Sequence, residues 1–233
     1  MQRGVYSRSK QSITDNSENK NIKGMNIKVC GITTLKQLQQ LDGLEIDFAG
    51  IIFHKDSPRY VGDKMDADAV KNYDFDLKKV GVFVNPEMID VLDAIDQYGL
   101  DVVQLHGNES PEMCEDLSSE VEVIKAFSIG SDTGNIDELV APYDAVCDYY
   151  LFDTKAAGGF GGTGKKFDWG LIANSKIEKP FFLSGGIGPD DAKLVKSLKH
   201  PDYYGADLNS LFEKEPGVKD MGLLLSFMHG LKK

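Results

Sequence analysis

From Asn26 onward the chain alternates short apolar runs with longer stretches in which apolar residues recur every three or four positions. The short runs are Ile27 to Cys30, Phe48 to Phe53, Lys79 to Val84, Val102 to Leu105, Val121 to Ala126, Tyr149 to Phe152, Pro180 to Ser184 and Tyr203 to Asp207. Most are apolar at nearly every position, which suits strands covered on both faces, as a parallel sheet flanked by helices requires. Between them, Met88, Val91, Leu92 and Ile95 stand at helical spacing and predict one shared apolar face. Met221, Leu224, Leu225 and Met228 repeat that spacing near the C-terminus, and Thr33 and Asp190 read as helix starts. Eight strand-helix units of about 25 residues each fit a single-domain (β/α)8 TIM barrel better than an open doubly wound sheet. In that architecture chemistry sits at the C-terminal ends of the strands, so the residues closing each apolar run become the candidates.

Composition narrows the partners. The chain has 233 residues, 41% of them hydrophobic, enough for one sizeable core. Its net charge of -11 and pI near 4.8 disfavour nucleic acid and anionic membrane surfaces, while leaving room for a small phosphorylated substrate at a local site. Cys30, Cys114 and Cys147 are odd in number and widely spaced, with no CxxC or His cluster, so neither a disulfide framework nor a metal site is indicated and a cytoplasmic setting fits. No apolar run reaches the roughly 20 residues of a membrane span. Residues 1–24 are polar and rich in Ser, Asn and Lys, and are expected to form a disordered extension ahead of a barrel spanning 25–233. Met25 is an alternative start; Arg3, Ser7, Arg8 and Ser9 also permit a transit peptide, which Asp15 and Glu18 oppose.

The strand ends carry the candidate chemistry. Tyr149 to Phe152 stops at Asp153, whose carboxyl is expected to project at the barrel lip. Gly158, Gly159, Gly161, Gly162 and Gly164 follow as a loop able to turn sharply or approach a ligand, and Asp168 and Trp169 open the next helix. Strand one ends at Cys30, which by itself also reads as a small buried hydrophobe. Arg59, after strand two, is a planar fork suited to a carboxylate or phosphate. Gln104 and His106 close strand four as hydrogen-bonding candidates for the substrate. Gly185 and Gly186 after strand seven, with Asn209 and Ser210 after strand eight, occupy the places where this fold commonly holds a phosphate. Lys125, inside strand five, has two readings: the Schiff-base nucleophile of a phosphosugar aldolase, or a barrel-interior residue paired with an acid. A third possibility is a non-catalytic barrel that binds phosphorylated ligands, although such a module has no need of both Cys30 and Asp153.

Several segments occur in one order from first strand to last helix: KVCGIT (Lys28 to Thr33), GIIF with SPRYV (Gly50 to Val61), VGVFVN (Val80 to Asn85), VQLHG (Val103 to Gly107), FDT (Phe152 to Thr154), GGTGKKFDW (Gly161 to Trp169), LSGGI (Leu183 to Ile187) and PGVKD (Pro216 to Asp220). In these the chain resembles the phosphoribosylanthranilate isomerase family of tryptophan biosynthesis, over everything after residue 25. The resemblance implies an Amadori rearrangement without cofactor or metal, in a monomer or homodimer. It implies Cys30 as general base, Asp153 as general acid, Arg59 on the anthranilate carboxylate and Gly185-Gly186 at the phosphate. Ordinary values near 3.9 for Asp and 8.5 for Cys suit neither role at pH 7, so burial is expected to raise Asp153 and a cation to lower Cys30. One departure is Leu211, which stands where the family has a small residue in its Ser-Ser-Gly turn and is expected to narrow the phosphate turn; another is His54-Lys55, where a proline is common.

Overall fold

Eight parallel strands close on themselves, with β1 pairing both β2 and β8. The structure, a computed structural model, describes residues 25–154 and 168–232. The expected disordered extension over residues 1–24 and the glycine loop from Gly158 to Gly164 lie outside the described residues. The strands are β1 (Asn26–Cys30), β2 (Phe48–Ile52), β3 (Lys78–Phe83), β4 (Val102–Leu105), β5 (Glu122–Ile129), β6 (Tyr149–Thr154), β7 (Phe181–Leu183) and β8 (Tyr203–Leu208). Helices α1 (Leu35–Asp42), α2 (Ala67–Lys71), α3 (Met88–Tyr98), α4 (Pro111–Ser118), α5 (Ile136–Val140), α6 (Gly170–Ala173), α7 (Ala192–Ser197) and α8 (Met221–Lys232) cover the outside. Each of the eight apolar runs becomes a strand, and the barrel expected from them is the fold.

The two-residue period of the strands builds two separate cores. Cys30, Phe48, Ile52, Val80, Val82, Val102, Ile124, Ala126, Leu151 and Phe182 point into the barrel. Their neighbours, among them Val29, Ile51, Val103, Phe127, Phe152 and Leu183, point outward and pack with Leu38, Val91, Leu117, Val195 and Phe227 of the helices. At the N-terminal end the rings of Phe48, Tyr149, Phe182 and Tyr204 meet largely edge to face, with centroids 5.2 Å apart for Phe48 and Phe182 and 5.3 Å for Phe182 and Tyr204. This aromatic plug fills the lower barrel and leaves the polar interior positions to the C-terminal mouth.

Three local readings need correction. Helix α1 is capped by Thr34, whose side chain accepts from the Gln37 N–H, while the Thr33 hydroxyl donates to the Gly217 carbonyl at 2.7 Å. Asp190 lies within a 3-10 turn (Pro189–Asp191), and α7 starts after it. The expected apolar faces of α3 and α8 meet the core at Met88, Val91 and Ile95 and at Met221, Leu224 and Met228, but Leu92 and Leu225 are exposed, while Ala94, Tyr98 and Phe227 are buried in addition. Residues one apart differ by about 100° around a helix, so Val91 and Leu92 cannot both face the sheet centre. After β8 the chain also forms a short hairpin, β9 (Glu213–Glu215) with β10 (Val218–Lys219), that no periodicity signalled.

Candidate active site

Cys30, Asp153, Ser184, Gln104 and Asp207 all reach the barrel mouth from the ends of different strands, and His106 follows β4. Strand β6 continues one residue past Asp153, so the carboxyl points into the barrel rather than ending the strand, with only 6% of the residue exposed. Its Oδ1 accepts from the Thr154 N–H at 2.7 Å, and its Oδ2 lies 3.5 Å from Nε2 of His106. The Gln104 amide meets Nδ1 of His106 at 2.7 Å. With the amide donating, the imidazole proton sits on Nε2 and faces Asp153. Gln104, His106 and Asp153 thus form one row that links the end of β4 to the end of β6.

Cys30 sits on a polar floor. Lys28, two residues back on β1 and fully buried, pairs with Asp207 at 2.9 Å, because the β1–β8 register sets Lys28 opposite Asp207. The second Asp207 oxygen takes the Ser184 hydroxyl at 3.3 Å. Room for the sulfur comes from Gly50 on β2, where an added Cβ would fall 2.8 Å from Cys30 Sγ. Burial pushes the Cys30 thiol up; Lys28 pulls it down and Asp207 pushes it up again, and burial wins. The expected cationic neighbour is present, then, but the expected net lowering is overturned because the sulfur is almost wholly removed from water.

Arg59 belongs to a second network. Its Nε and Nη2 grip the Glu213 carboxylate, at 2.9 Å and 2.7 Å. Glu213 also accepts from Lys219 at 2.7 Å and from the Gly217 N–H at 3.0 Å, and Lys219 reaches Asn209 Oδ1 at 2.8 Å. Burial works to raise Glu213, but Arg59 and Lys219 outweigh it and hold the carboxyl below its usual range. Lys219 is lowered because its burial exceeds the pull of Glu213. Gly31, at φ +83°, lets this network close over the end of β1: a Cβ there would fall 2.6 Å from Arg59 Cδ and 2.9 Å from Asn209 Oδ1. Both bonds to Glu213 use the Nε and Nη2 edge of the fork.

Gly185 and Gly186 both take left-handed backbone, φ +85° and +67°. A Cβ on Gly185 would collide with Thr154 Oγ1 and fall 2.8 Å from Asp153 Oδ1, so the β7 loop lies directly on the end of β6. Ser210 begins a 3-10 turn (Ser210–Phe212), and Leu211 lies exposed with Cδ1 3.5 Å from the position of a Gly188 Cβ, which brings the β7 and β8 loops together. Leu211 is not among the positive-φ residues, so its backbone needs no glycine.

Lys125 is not in the interior. It stands between inward Ile124 and Ala126, and so projects outward, where Nζ donates to the Gly107 carbonyl at 2.8 Å and pairs with Glu109 at 2.9 Å. The acid partner is as expected, but the interior location is corrected, and an ammonium packed outside the barrel cannot attack a substrate in its mouth. Lys28, Ser184, Asp207, Glu213 and Lys219 received no site role from the sequence. A lysine within the first apolar strand was a readable signal, and Lys219 lay within the PGVKD motif without being singled out; Glu213 gave none.

The profile of the N-(5'phosphoribosyl)anthranilate (PRA) isomerase family matches residues 27–229. The chain belongs to this family. An N-(5'-phosphoribosyl)anthranilate isomerase of Parabacteroides distasonis is 42% identical over 206 residues, 88% of this chain and 92% of that protein. The crystal structure of phosphoribosyl anthranilate isomerase from Thermotoga maritima is 31% identical with a TM-score of 0.77, covering 89% of this chain and 98% of that one. A further relative with the same coverage, 28% identical with a TM-score of 0.73, is a phosphoribosyl anthranilate isomerase in complex with reduced 1-(o-carboxyphenylamino)-1-deoxyribulose 5-phosphate.

Proposed function

We propose that this chain converts N-(5'-phosphoribosyl)anthranilate into 1-(2-carboxyphenylamino)-1-deoxyribulose 5-phosphate in tryptophan biosynthesis, with Asp153 as acid and Cys30 as base. The observation that carries the reading is a carboxyl and a thiol brought to one barrel mouth in a member of this family. Protonated Asp153 gives its proton to the ribose ring oxygen, the C1–O bond breaks, and the anilino nitrogen's lone pair forms a C1=N iminium. The Cys30 thiolate then takes the C2 proton, and the C2–H electrons form the C1–C2 double bond of an enol-amine. Loss of the enol proton with protonation at C1 gives the ketone, and solvent returns Cys30 and Asp153 to their starting forms. His106, whose Nε2 lies 3.5 Å from Asp153 Oδ2, lies on the route for that return.

Arg59 offers Nη1 to the anthranilate carboxylate while Glu213 fixes the other edge of the fork. The phosphate is assigned to backbone N–H groups at Gly185, Gly186 and Ser210, with Gln104 and Asn209 lining the mouth. No helix of the described residues is long and apolar enough to cross a membrane. The cytoplasm is the assigned location, in keeping with three widely spaced cysteines that form no pairing pattern.

Turnover is read from the loss of substrate fluorescence. The purified chain should be active, and Cys30→Ala and Asp153→Asn should each lose about 100-fold or more. A chain that binds phosphorylated ligands without turnover would be a binding barrel; two variants with near-full turnover would remove both assigned roles.

A further inference from the structure

The ion pair under Cys30 takes no part in the chemistry just described. Lys28 is fully buried and Asp207 nearly so, and they meet at 2.9 Å with Ser184 on the free carboxylate oxygen. A buried pair of this kind is costly to desolvate and is weak evidence of a gain in stability. Both side chains point into the barrel directly below the thiol: Lys28 stands two residues before Cys30 on β1 and so shares its inward face, and Asp207 stands opposite Lys28 in the β1–β8 register.

The charges around the sulfur are unequal. Lys28 comes from the same strand, Asp207 from β8 and Lys219 from β10; β2 offers only Gly50. Arg59 and Glu213 complete the wall beside Gly31, and across the mouth Asp153 is engaged with His106. Among the described residues the wall beside the sulfur carries the cations Lys28, Lys219 and Arg59 and the carboxylates Asp207 and Glu213.

We infer that Lys28 and Asp207 are positioning residues for the base: the Lys28 ammonium offsets part of what burial costs the Cys30 thiolate, and Asp207 holds the ammonium in place and limits how far it does so. The inference rests on Cys30 being the base, but it makes a claim about the two charges that turnover alone does not test. Lys28 and Asp207 act on the sulfur with opposite signs, so removing them should move its ionisation in opposite directions. A pair that served only the fold would not do this, since loosening the barrel relieves the burial of the thiol whichever partner is lost.

The experiment follows alkylation of Cys30 by iodoacetamide across pH, read by mass on the peptide that carries it, together with the pH profile of kcat/KM. Lys28→Met should raise the alkylation midpoint by about one pH unit or more, the size expected for loss of an adjacent opposite charge. Asp207→Asn should lower it. The double variant Lys28→Met/Asp207→Asn leaves no unpaired buried charge and guards against misfolding; its midpoint should lie above wild type but below that of Lys28→Met, because the nearer ammonium dominates. Midpoints that stay in place, or that move the same way in both single variants, would overturn the inference, as would a double variant at or below wild type. If Cys30→Ala keeps full turnover, the base assignment itself fails; if turnover collapses there and the midpoints do not move, only the role of the ion pair fails.

Discussion

Replacing Lys125 with methionine separates a structural lysine from a chemical one. The substitution keeps the length of the side chain and removes an ammonium that donates to Gly107 and Leu105 carbonyls and pairs with Glu109. Breaking a buried pair from one side costs about 3–5 kcal/mol, because the other charge stays behind. Glu109 would retain backbone N–H donors from Asn85 at 2.8 Å and Gly107 at 2.9 Å, which places the loss near the lower end, about 3 kcal/mol. At roughly 2–4 °C per kcal/mol for a chain of this size, the thermal midpoint should fall by about 6–12 °C. Turnover at 25 °C should remain within about twofold of wild type, since Nζ lies outside the barrel. Lys125→Met/Glu109→Gln should recover much of the stability, as neutralising both partners removes the stranded charge. Thermal denaturation and the fluorescence assay on the same preparations decide it. Abolished turnover with an unchanged midpoint would refute the reasoning, and a borohydride-trapped adduct at Lys125 would restore the Schiff-base reading.

Gly185→Ala should weaken competition by inorganic phosphate about tenfold or more and destabilise the fold, since φ +85° disfavours a side chain and the Cβ would meet Thr154 and Asp153; an unchanged inhibition constant would contradict this. Leu211→Ala should alter stability by less than about 0.5 kcal/mol, given its exposure and ordinary backbone, and a loss of several times that would show a hidden packing role. Glu213 is held below its ordinary value of 4.5, so its contribution to stability is complete above that pH and lost as pH falls through the lower folded value. Glu213→Gln should therefore flatten the fall in stability as pH drops below 4.5, and acid limbs of equal slope in the two proteins would count against the assignment.

The strands were legible because each is a compact apolar run, and a parallel barrel needs such runs on both faces. Their far ends were less so. Strand β5 continues to Ile129 and β6 to Thr154 because backbone pairing of Ser128 with Asp153 and Ile129 with Thr154 carries the sheet past the last uniformly apolar residue. Side-chain direction was hidden for the same reason: in β5 the residues flanking Lys125 are apolar on both faces, so alternation could not tell inside from outside. Cys30, Asp153, Arg59 and Gly185 were readable from their places at strand ends, and from the motifs around them. Their partners were not. Lys28 meets Asp207 only through closure of β1 on β8, and Arg59 meets Glu213 only through the β9–β10 hairpin, contacts between residues more than 150 positions apart. The direction of the Cys30 shift depends on how burial balances against those partners, which no spacing encodes.

The most direct test of the assigned acid and base uses a substrate analogue whose ribose is already open, and follows exchange of its C2 hydrogen with solvent. Protonation of the ring oxygen is no longer needed with such a compound, whereas removal of the C2 proton still is. Asp153→Asn should therefore recover much of the wild-type exchange rate on the analogue while remaining slow on the natural substrate, and Cys30→Ala should be slow on both, by about 100-fold or more. Normal exchange in the Cys30 variant with none in the Asp153 variant would reverse the two roles and contradict the account.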